Sequence, residues 1–150
     1  MLREALMDDN KVMDDLLTLL VQDERKYDNN IDPNFKVNGY YKNYLNKDNN
    51  IAYVYEVDGS VVGYIDGQII DDGTTKNKGC KISALFVKNE YRKMGIATKL
   101  LEAFILEAKK NKCYDIEIGV MYENVAAKAL YKKFGFKEFK EVLDKKLEGV

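Results

Sequence analysis

The chain has 150 residues, 46% of them hydrophobic and 33% charged, which is the size and composition of a single globular domain covering 1–150. Its 24 Lys and Arg against 25 Asp and Glu exclude the strong positive charge typical of nucleic-acid-binding proteins, so we expect no nucleic-acid partner. No apolar run reaches the ~20 residues of a membrane span and no signal-peptide pattern opens the chain, so we expect a cytoplasmic protein with no membrane partner.

The N-terminal part predicts a short strand followed by two helices. Residues 2–6 favour the strand, and Asp8, Asp9 or Asn10 could cap the first helix. The apolar residues of that helix recur at three-to-four spacing, which indicates one buried face: Val12, Met13, Leu16, Leu17, Leu19 and Leu20. After Pro33 the same spacing predicts a second, tyrosine-rich helix: Val37, Tyr40, Tyr41, Tyr44 and Leu45.

The middle of the chain predicts three strands. Residues 51–57 and 60–70 flank Asp58-Gly59, a dipeptide that favours a tight primed turn, so they predict a hairpin. Residues 80–87 predict an alternating strand. Strict alternation would place Lys81, Ser83, Leu85 and Val87 on one side of it. The other side would then carry Ile82, Ala84 and Phe86.

The remaining residues alternate between helix and strand. From Ile96 onward the apolar residues trace one face of a long helix: Ala97, Leu100, Leu101, Phe104 and Ala108. Residues 114–120 predict a strand and 124–134 a further helix. Residues 135–140 predict another strand, and 142–147 a last one. This order indicates an α/β fold.

The helix that follows Gly95 begins without an acidic residue in its first turn. The first N–H groups of a helix have no internal partner, and the helix dipole adds positive charge there. With Arg92 and Lys93 beside it, this start favours the binding of an anion such as a pyrophosphate. The alternative is that Gly95 only gives the loop more conformational freedom, and that Arg92 and Lys93 are solvated surface charges. Neither a Walker loop nor a dinucleotide fingerprint is present.

The segment 92–97 reads R-x-x-G-x-A, and "ENVAAKALYKKFGF" at 123–136 contains N-x-x-A-x-x-L-Y and G-F. This ordered set, together with the strand "ALFV" at 84–87, resembles the GNAT acetyltransferase superfamily. The resemblance implies a mixed, strongly twisted sheet of six to seven strands flanked by about four helices. It also implies acetyl-CoA as co-substrate, and an N-acetyltransferase that moves an acetyl group to a primary amine by direct attack in a ternary complex.

Site residues follow from the resemblance by position. The implied pyrophosphate contacts are backbone amides of the cradle: Arg92, Lys93, Met94, Gly95, Ile96, Ala97 and Thr98. The implied contacts of the pantetheine arm are on the strand opposite 118–120: Leu85, Phe86 and Val87. Asn124 corresponds to the asparagine that contacts the cofactor arm, and Tyr131 to the tyrosine that protonates the departing thiolate. Ala127, on the same helix, belongs to the implied cofactor contacts.

Asn124 and Tyr131 are seven residues apart, so they lie on nearly the same side of their helix and can face one ligand. The alternatives are that Asn124 caps the helix and that Tyr131 is a core aromatic. The proton acceptor for the amine is less evident, because family members place Glu or His on the strand that here carries Ser83. Deprotonation could use a water held by Ser83, or an acid from the first helices. The chain has no histidine, which excludes a Cys/His metal site, and we expect no metal.

The acidic segment 22–35 is the candidate acceptor site. Glu24, Tyr27 and Asp28 would suit a cationic amine, whether a small molecule or a peptide, although a solvated acidic helix end is an equal alternative. We expect a monomer or homodimer. Two other functions stay open: a CoA-binding sensor that lost turnover, and a binder of phosphate ligands unrelated to acetyl transfer.

Overall fold

A five-stranded sheet runs through the protein in the order β1-β2-β3-β4-β5, and the computed structural model describes all of residues 1–150. The first four strands are antiparallel neighbours, and β5 is parallel to β4. The strands are β1 (Leu2–Glu4), β2 (Asn50–Val57), β3 (Ser60–Ile70), β4 (Gly79–Val87) and β5 (Ile116–Ile118). The helices are α1 (Asn10–Asp23), α2 (Tyr40–Tyr44), α3 (Ile96–Lys110) and α4 (Val125–Lys133).

The β2–β3 hairpin is confirmed. Asp58 and Gly59 both have positive φ angles, 50° and 80°, as a primed two-residue turn requires. The strand at 2–6 is also confirmed, as the shorter β1. No helix of the chain is long and apolar enough to cross a lipid bilayer.

Two apolar cores lie on opposite faces of the sheet. The core under α3 contains Val62, Ile65, Cys80, Ile82, Leu100, Leu101 and Phe104. The core under α1 and α2 contains Met13, Leu16, Tyr41, Tyr44, Val54, Tyr64, Ala84 and Phe86. The predicted helical faces of α1 and α3 therefore supply the buried side chains that hold the sheet from both sides. The burial of each large apolar side chain contributes about 1.5–3 kcal/mol to these cores.

A β-bulge at Ser83 changes which face the β4 side chains point to. Ala84 pairs with Asp66 and Ile82 with Gly67, so Ser83 has no opposite residue on β3. Ile82 therefore packs on the α3 side, while Ala84 packs on the α1 side. The expected strict alternation, with Ile82 and Ala84 on the same side, is wrong because the extra residue reverses the facing of the strand.

α2 is shorter than its pattern predicted. It begins after Gly39, whose φ is 77°, so Val37 lies in the preceding loop although its side chain is buried. The Asp14 carboxylate of α1 accepts hydrogen bonds from the Gly39 N–H at 2.8 Å and the Tyr41 N–H at 3.0 Å. Asp14 thereby caps α2 from a neighbouring helix, a contact that no local sequence signal marks.

The mixed α/β class is confirmed, but the sheet has five strands instead of six or seven. Residues 135–140 and 142–147 are not strands. Most of their side chains are exposed, including Phe139 and Leu143. A strand needs a hydrogen-bonded neighbour, and β5, only three residues long, pairs with β4 alone. The outer edge of β5 is therefore left unpaired, and the apolar alternation of these segments does not by itself place them on it.

Candidate functional site

β4 and β5 separate halfway along β4. Their parallel pairing covers Cys80–Ile82 against Ile116–Ile118, and beyond it β4 continues for five residues without a partner on that side. Leu85, Phe86 and Val87 lie in this unpaired part, while their other edge pairs with β3. Their backbone groups on the open edge, apart from the Val87 carbonyl that accepts from Arg92, are therefore available to an extended ligand, in the way that a strand accepts an added strand.

The cradle follows directly after β4. A single 3-10 turn at Asn89–Tyr91 leads into Lys93 and Gly95, whose φ angles are 64° and 79°, and α3 then begins at Ile96 without an acid in its first turn. The backbone N–H groups of residues 93–98 have no acceptor within the protein. Since these groups meet at the positive end of a helix, they form a site for an anion. At the φ of Gly95, a residue with a Cβ would be strained.

The Arg92 side chain turns away from the cradle. Its Nε donates to the Val87 carbonyl oxygen at 2.9 Å, and its guanidinium lies 5.3 Å from the centre of the Phe86 ring. It also forms an ion pair with Asp23 at 3.6 Å. Arg92 thus ties the end of β4 to the end of α1. Its contribution to the cradle is through its backbone and through the conformation of the turn.

α4 carries Asn124 and Tyr131, and the structure shows both of the alternatives considered for them. The Asn124 Oδ1 accepts from the Ala127 N–H at 3.1 Å, so Asn124 does cap α4. Tyr131 packs against the α3-side core, with its ring 6.0 Å from that of Phe136. Its hydroxyl has no hydrogen-bond partner in the protein. Burial, and secondarily the charge of Glu24, raise the pKa of Tyr131 to about 12.

The three candidate acceptor residues lie together just after α1. Glu24 opens a 3-10 turn, and its backbone carbonyl accepts from the N–H groups of Tyr27 and Asp28 at 2.9 and 3.0 Å. Burial raises the pKa of Glu24, and the neighbouring Asp23 and Asp28 raise it further. Glu24 is near enough to Tyr131 for its charge to add to the rise in the pKa of that hydroxyl. Asp28 is partly used locally, since it accepts from the Asn30 N–H at 3.0 Å.

The structure adds one residue that the sequence analysis missed. Asp66, in the middle of β3, is 1% exposed, and neither of its carboxylate oxygens has a hydrogen-bond partner of normal geometry. Burial raises the pKa of Asp66 to about 7, although Tyr41 and the Ala84 N–H are near enough to favour the charged form. Ser83, the candidate water-holding residue, is the exposed bulge residue next to Ala84. The available signal was a single acid inside the apolar run "SVVGYIDGQII".

An open strand edge that continues into a helix start with free N–H groups is the arrangement of a coenzyme A-dependent acyltransferase domain. The chain belongs to the acetyltransferase (GNAT) family, whose model matches residues 13–136. The match confirms the family predicted from segments 92–97 and 123–136.

Individual relatives agree with this assignment. An uncharacterized N-acetyltransferase of Methanocaldococcus jannaschii is 32% identical over 145 residues, which cover 95% of this chain and 62% of that protein. A mutant of the BH1408 protein from Bacillus halodurans has a similar fold, with a TM-score of 0.85 at 22% identity, covering 98% of this chain and 99% of that one. An aminoglycoside N-acetyltransferase solved in complex with CoA has a TM-score of 0.73 at 17% identity, covering 99% and 100%.

The chain spans only part of the curated relatives it matches, with 43%, 62% and 57% of their lengths aligned in three cases. The two solved structures are below 25% identical, so they show the fold alone. The acceptor and the individual site residues stay predictions.

Proposed function

We propose that the chain transfers an acetyl group from acetyl-CoA to a primary amine, by direct attack of the amine in a ternary complex. The observation that carries the proposal is the row of free N–H groups at 93–98 next to the open edge of β4. The first feature suits a pyrophosphate, and the second suits an amide-containing arm that pairs like a strand. A coenzyme A carries both a pyrophosphate and an amide-containing arm, so it can use both features together.

In this proposal each segment has one role, which follows from its position. The cradle from Arg92 to Thr98 holds the pyrophosphate through backbone N–H groups. Leu85, Phe86 and Val87 pair with the arm and place the acetyl group where β4 leaves β5. Asn124 and Ala127, at the start of α4, contact the arm from the other side, and the Asn124 side chain keeps that helix start in place through its cap.

Tyr131 is the proposed acid for the leaving thiolate. An acid must hold its proton until the C–S bond breaks, and a phenol with a pKa of about 12 is protonated throughout the neutral range. The free hydroxyl also matters, because a Tyr hydroxyl already donating to a protein acceptor would not be available to the sulfur. The pairing of burial with an unused donor distinguishes Tyr131 from an ordinary core aromatic.

The acceptor class follows from the acidic turn after α1. Glu24 and Asp28 supply negative charge and Tyr27 an aromatic surface, which together suit a cationic amine. A small-molecule amine and the amine of a peptide both satisfy this description. The acid-rich turn therefore selects for charge, and the shape of the acceptor is selected elsewhere.

A second candidate function is a CoA-binding sensor without turnover. It is favoured by one observation: the side chains of β4 near its separation from β5 are Lys81 and Ser83, and neither is a carboxylate or an imidazole. The two functions share the cradle and differ in chemistry, so binding alone does not separate them.

The experiment is a calorimetric titration with acetyl-CoA followed by a screen of primary amines for thiol release. Binding with release for at least one amine supports the transferase. Binding without release for any amine supports the sensor. Equal binding of coenzyme A and free adenine nucleotides would contradict both, because it would leave no use for the open edge of β4.

A further inference from the structure

Asp66 is a buried carboxylate whose nearest polar neighbours, the Tyr41 hydroxyl and the Ala84 N–H, favour its charged form without a hydrogen bond of normal geometry. Its side chain is 1% exposed, both oxygens lack a normal hydrogen bond, and none of the ion pairs in the structure includes it. Buried polar groups are normally paired, and an unpaired one destabilises the folded state. Such a carboxylate is therefore explained better by a role in the reaction than by a contribution to folding stability.

The position of Asp66 relates it to the proposed acetyl site. It is opposite Ala52 on β2 and Ala84 on β4, so only methyl groups flank it within the sheet. Ala84 directly follows the Ser83 bulge, and β4 has just left β5 there, since their pairing ends at Ile82. Adjacent strands are about 5 Å apart, so the carboxylate lies one strand away from the open segment of β4.

The groups that surround Asp66 leave it as the natural proton acceptor on this face. α2 contributes the hydroxyls of Tyr40, Tyr41 and Tyr44, whose pKa values are raised by burial and by the charge of Asp66. From β3 comes Tyr64, whose hydroxyl accepts from Tyr41 at 2.9 Å. The other carboxylate of this face, Asp14 on α1, is already satisfied by the N–H groups of α2.

We propose that Asp66 is the general base of the reaction, and that the acceptor amine reaches it beside the Ser83 bulge on the α1 face of β4. The inference rests on the proposed acetyl transfer. The cover over Asp66 on this face comes from the tyrosines of α2, whose start Asp14 caps, whereas Ser83 beside it is exposed. Burial raises the pKa of Asp66 to about 7, which suits a base that works near neutral pH.

The acceptor ammonium loses two protons in the proposed reaction. The ammonium of the acceptor gives one proton to the Asp66 carboxylate and becomes a neutral amine. Its nitrogen lone pair forms the C–N bond to the acetyl carbon, and the C–S electron pair leaves with the sulfur, which takes a proton from Tyr131. The second nitrogen proton, released as the amide forms, restores Tyr131 through solvent. Asp66 returns its proton to solvent, so one proton is released per turnover.

The test compares pH profiles of kcat/KM, measured by thiol release with acetyl-CoA and two primary amines of different pKa, glycinamide and putrescine. The proposal expects an acidic limb at the same pH for both amines, lost in Asp66→Asn together with a 10²-fold or greater fall in kcat. Partial recovery is expected in Asp66→Glu. Circular dichroism and thermal unfolding must show that each variant is folded at pH 7.

Glu24→Gln is the matched control, because Glu24 is the rival carboxylate with a raised pKa. The limb should persist in this variant. If Glu24→Gln abolishes the limb and Asp66→Asn keeps it, or if the limb moves with the pKa of the amine, Asp66 is not the base although acetyl transfer stands. If no amine yields thiol with the wild-type protein, the proposed function fails first.

Discussion

Replacing Asp66 with Asn should abolish a pH dependence of folding stability that the wild-type protein shows between pH 5 and pH 7. The pKa of Asp66 is about 7 in the folded state and 3.8 ordinarily, so folding favours the protonated carboxyl. The resulting stability is fully present below pH 4 and is lost as the pH rises towards 7. This direction is opposite to that of a carboxylate in an ion pair.

The magnitude follows from the two pKa values. With 3.8 for the unfolded chain and about 7 for the folded one, the free energy of unfolding falls by about 2 kcal/mol between pH 5 and pH 7. The chain has no histidine, the side chain that ordinarily titrates in this interval. Glu24 contributes in the same direction, but it is half-exposed and present in both proteins, so it cancels in the comparison.

Urea unfolding of the wild-type protein and Asp66→Asn at four pH values between 5 and 7 measures the effect. The wild-type free energy of unfolding should decline by about 2 kcal/mol relative to that of the variant. Two parallel curves would contradict this prediction, because they would mean that Asp66 has the same proton affinity in the folded and unfolded chain. The assay needs no substrate, so it is independent of the proposed activity.

Three further predictions concern the cradle, the acid and the sheet. Gly95→Glu should weaken acetyl-CoA binding at least tenfold in calorimetry, because it adds backbone strain and negative charge. Lys99→Glu, on the exposed face of α3, should change the affinity little. Equal affinities of the two variants would remove the pyrophosphate assignment. Tyr131→Phe should lower kcat by ~10²-fold or more with little change in KM for acetyl-CoA or in thermal stability; a wild-type rate would make Tyr131 a core aromatic only. Gly67→Ala should destabilise the fold by about 1–3 kcal/mol or more, because the added Cβ would overlap the Lys81 backbone carbonyl and lie 2.6 Å from the buried Phe104 ring; denaturant unfolding checks this, and Phe104→Leu in the same chain should relieve only the part due to the ring.

Local patterns predicted the elements whose causes are local. The Asp58-Gly59 turn and the apolar face of α3 depend on neighbouring residues, and both are present as expected. The bulge at Ser83 depends on how β4 aligns with β3, and an alternating sequence reads the same with or without the extra residue. The same limit explains residues 135–147, where a strand-like pattern does not by itself bring the segment to the open edge of β5.

The residues of the candidate site also differ in whether the local sequence marks them. The cradle is a continuous segment, 92–98, so its residue types, glycine and missing acids were visible together. Asp66 precedes the first residue of the cradle by 26 positions. It becomes notable only through its burial and its neighbours across the sheet. In sequence it is one acid in an apolar strand, which edge strands also show.

The Arg92 side chain makes the two halves of the site thermodynamically linked. Its backbone belongs to the cradle, while its guanidinium holds Asp23, the residue next to the acceptor candidate Glu24. Occupancy of the cradle therefore stabilises one arrangement of the acceptor turn, and by reciprocity an acceptor raises the affinity for the donor by the same factor. Because the ion pair is more than a third exposed on both sides, this cooperativity is at most about 1 kcal/mol, or roughly fivefold. The two substrates of the proposed reaction would therefore favour each other's binding equally, with no order imposed and no moving domain required.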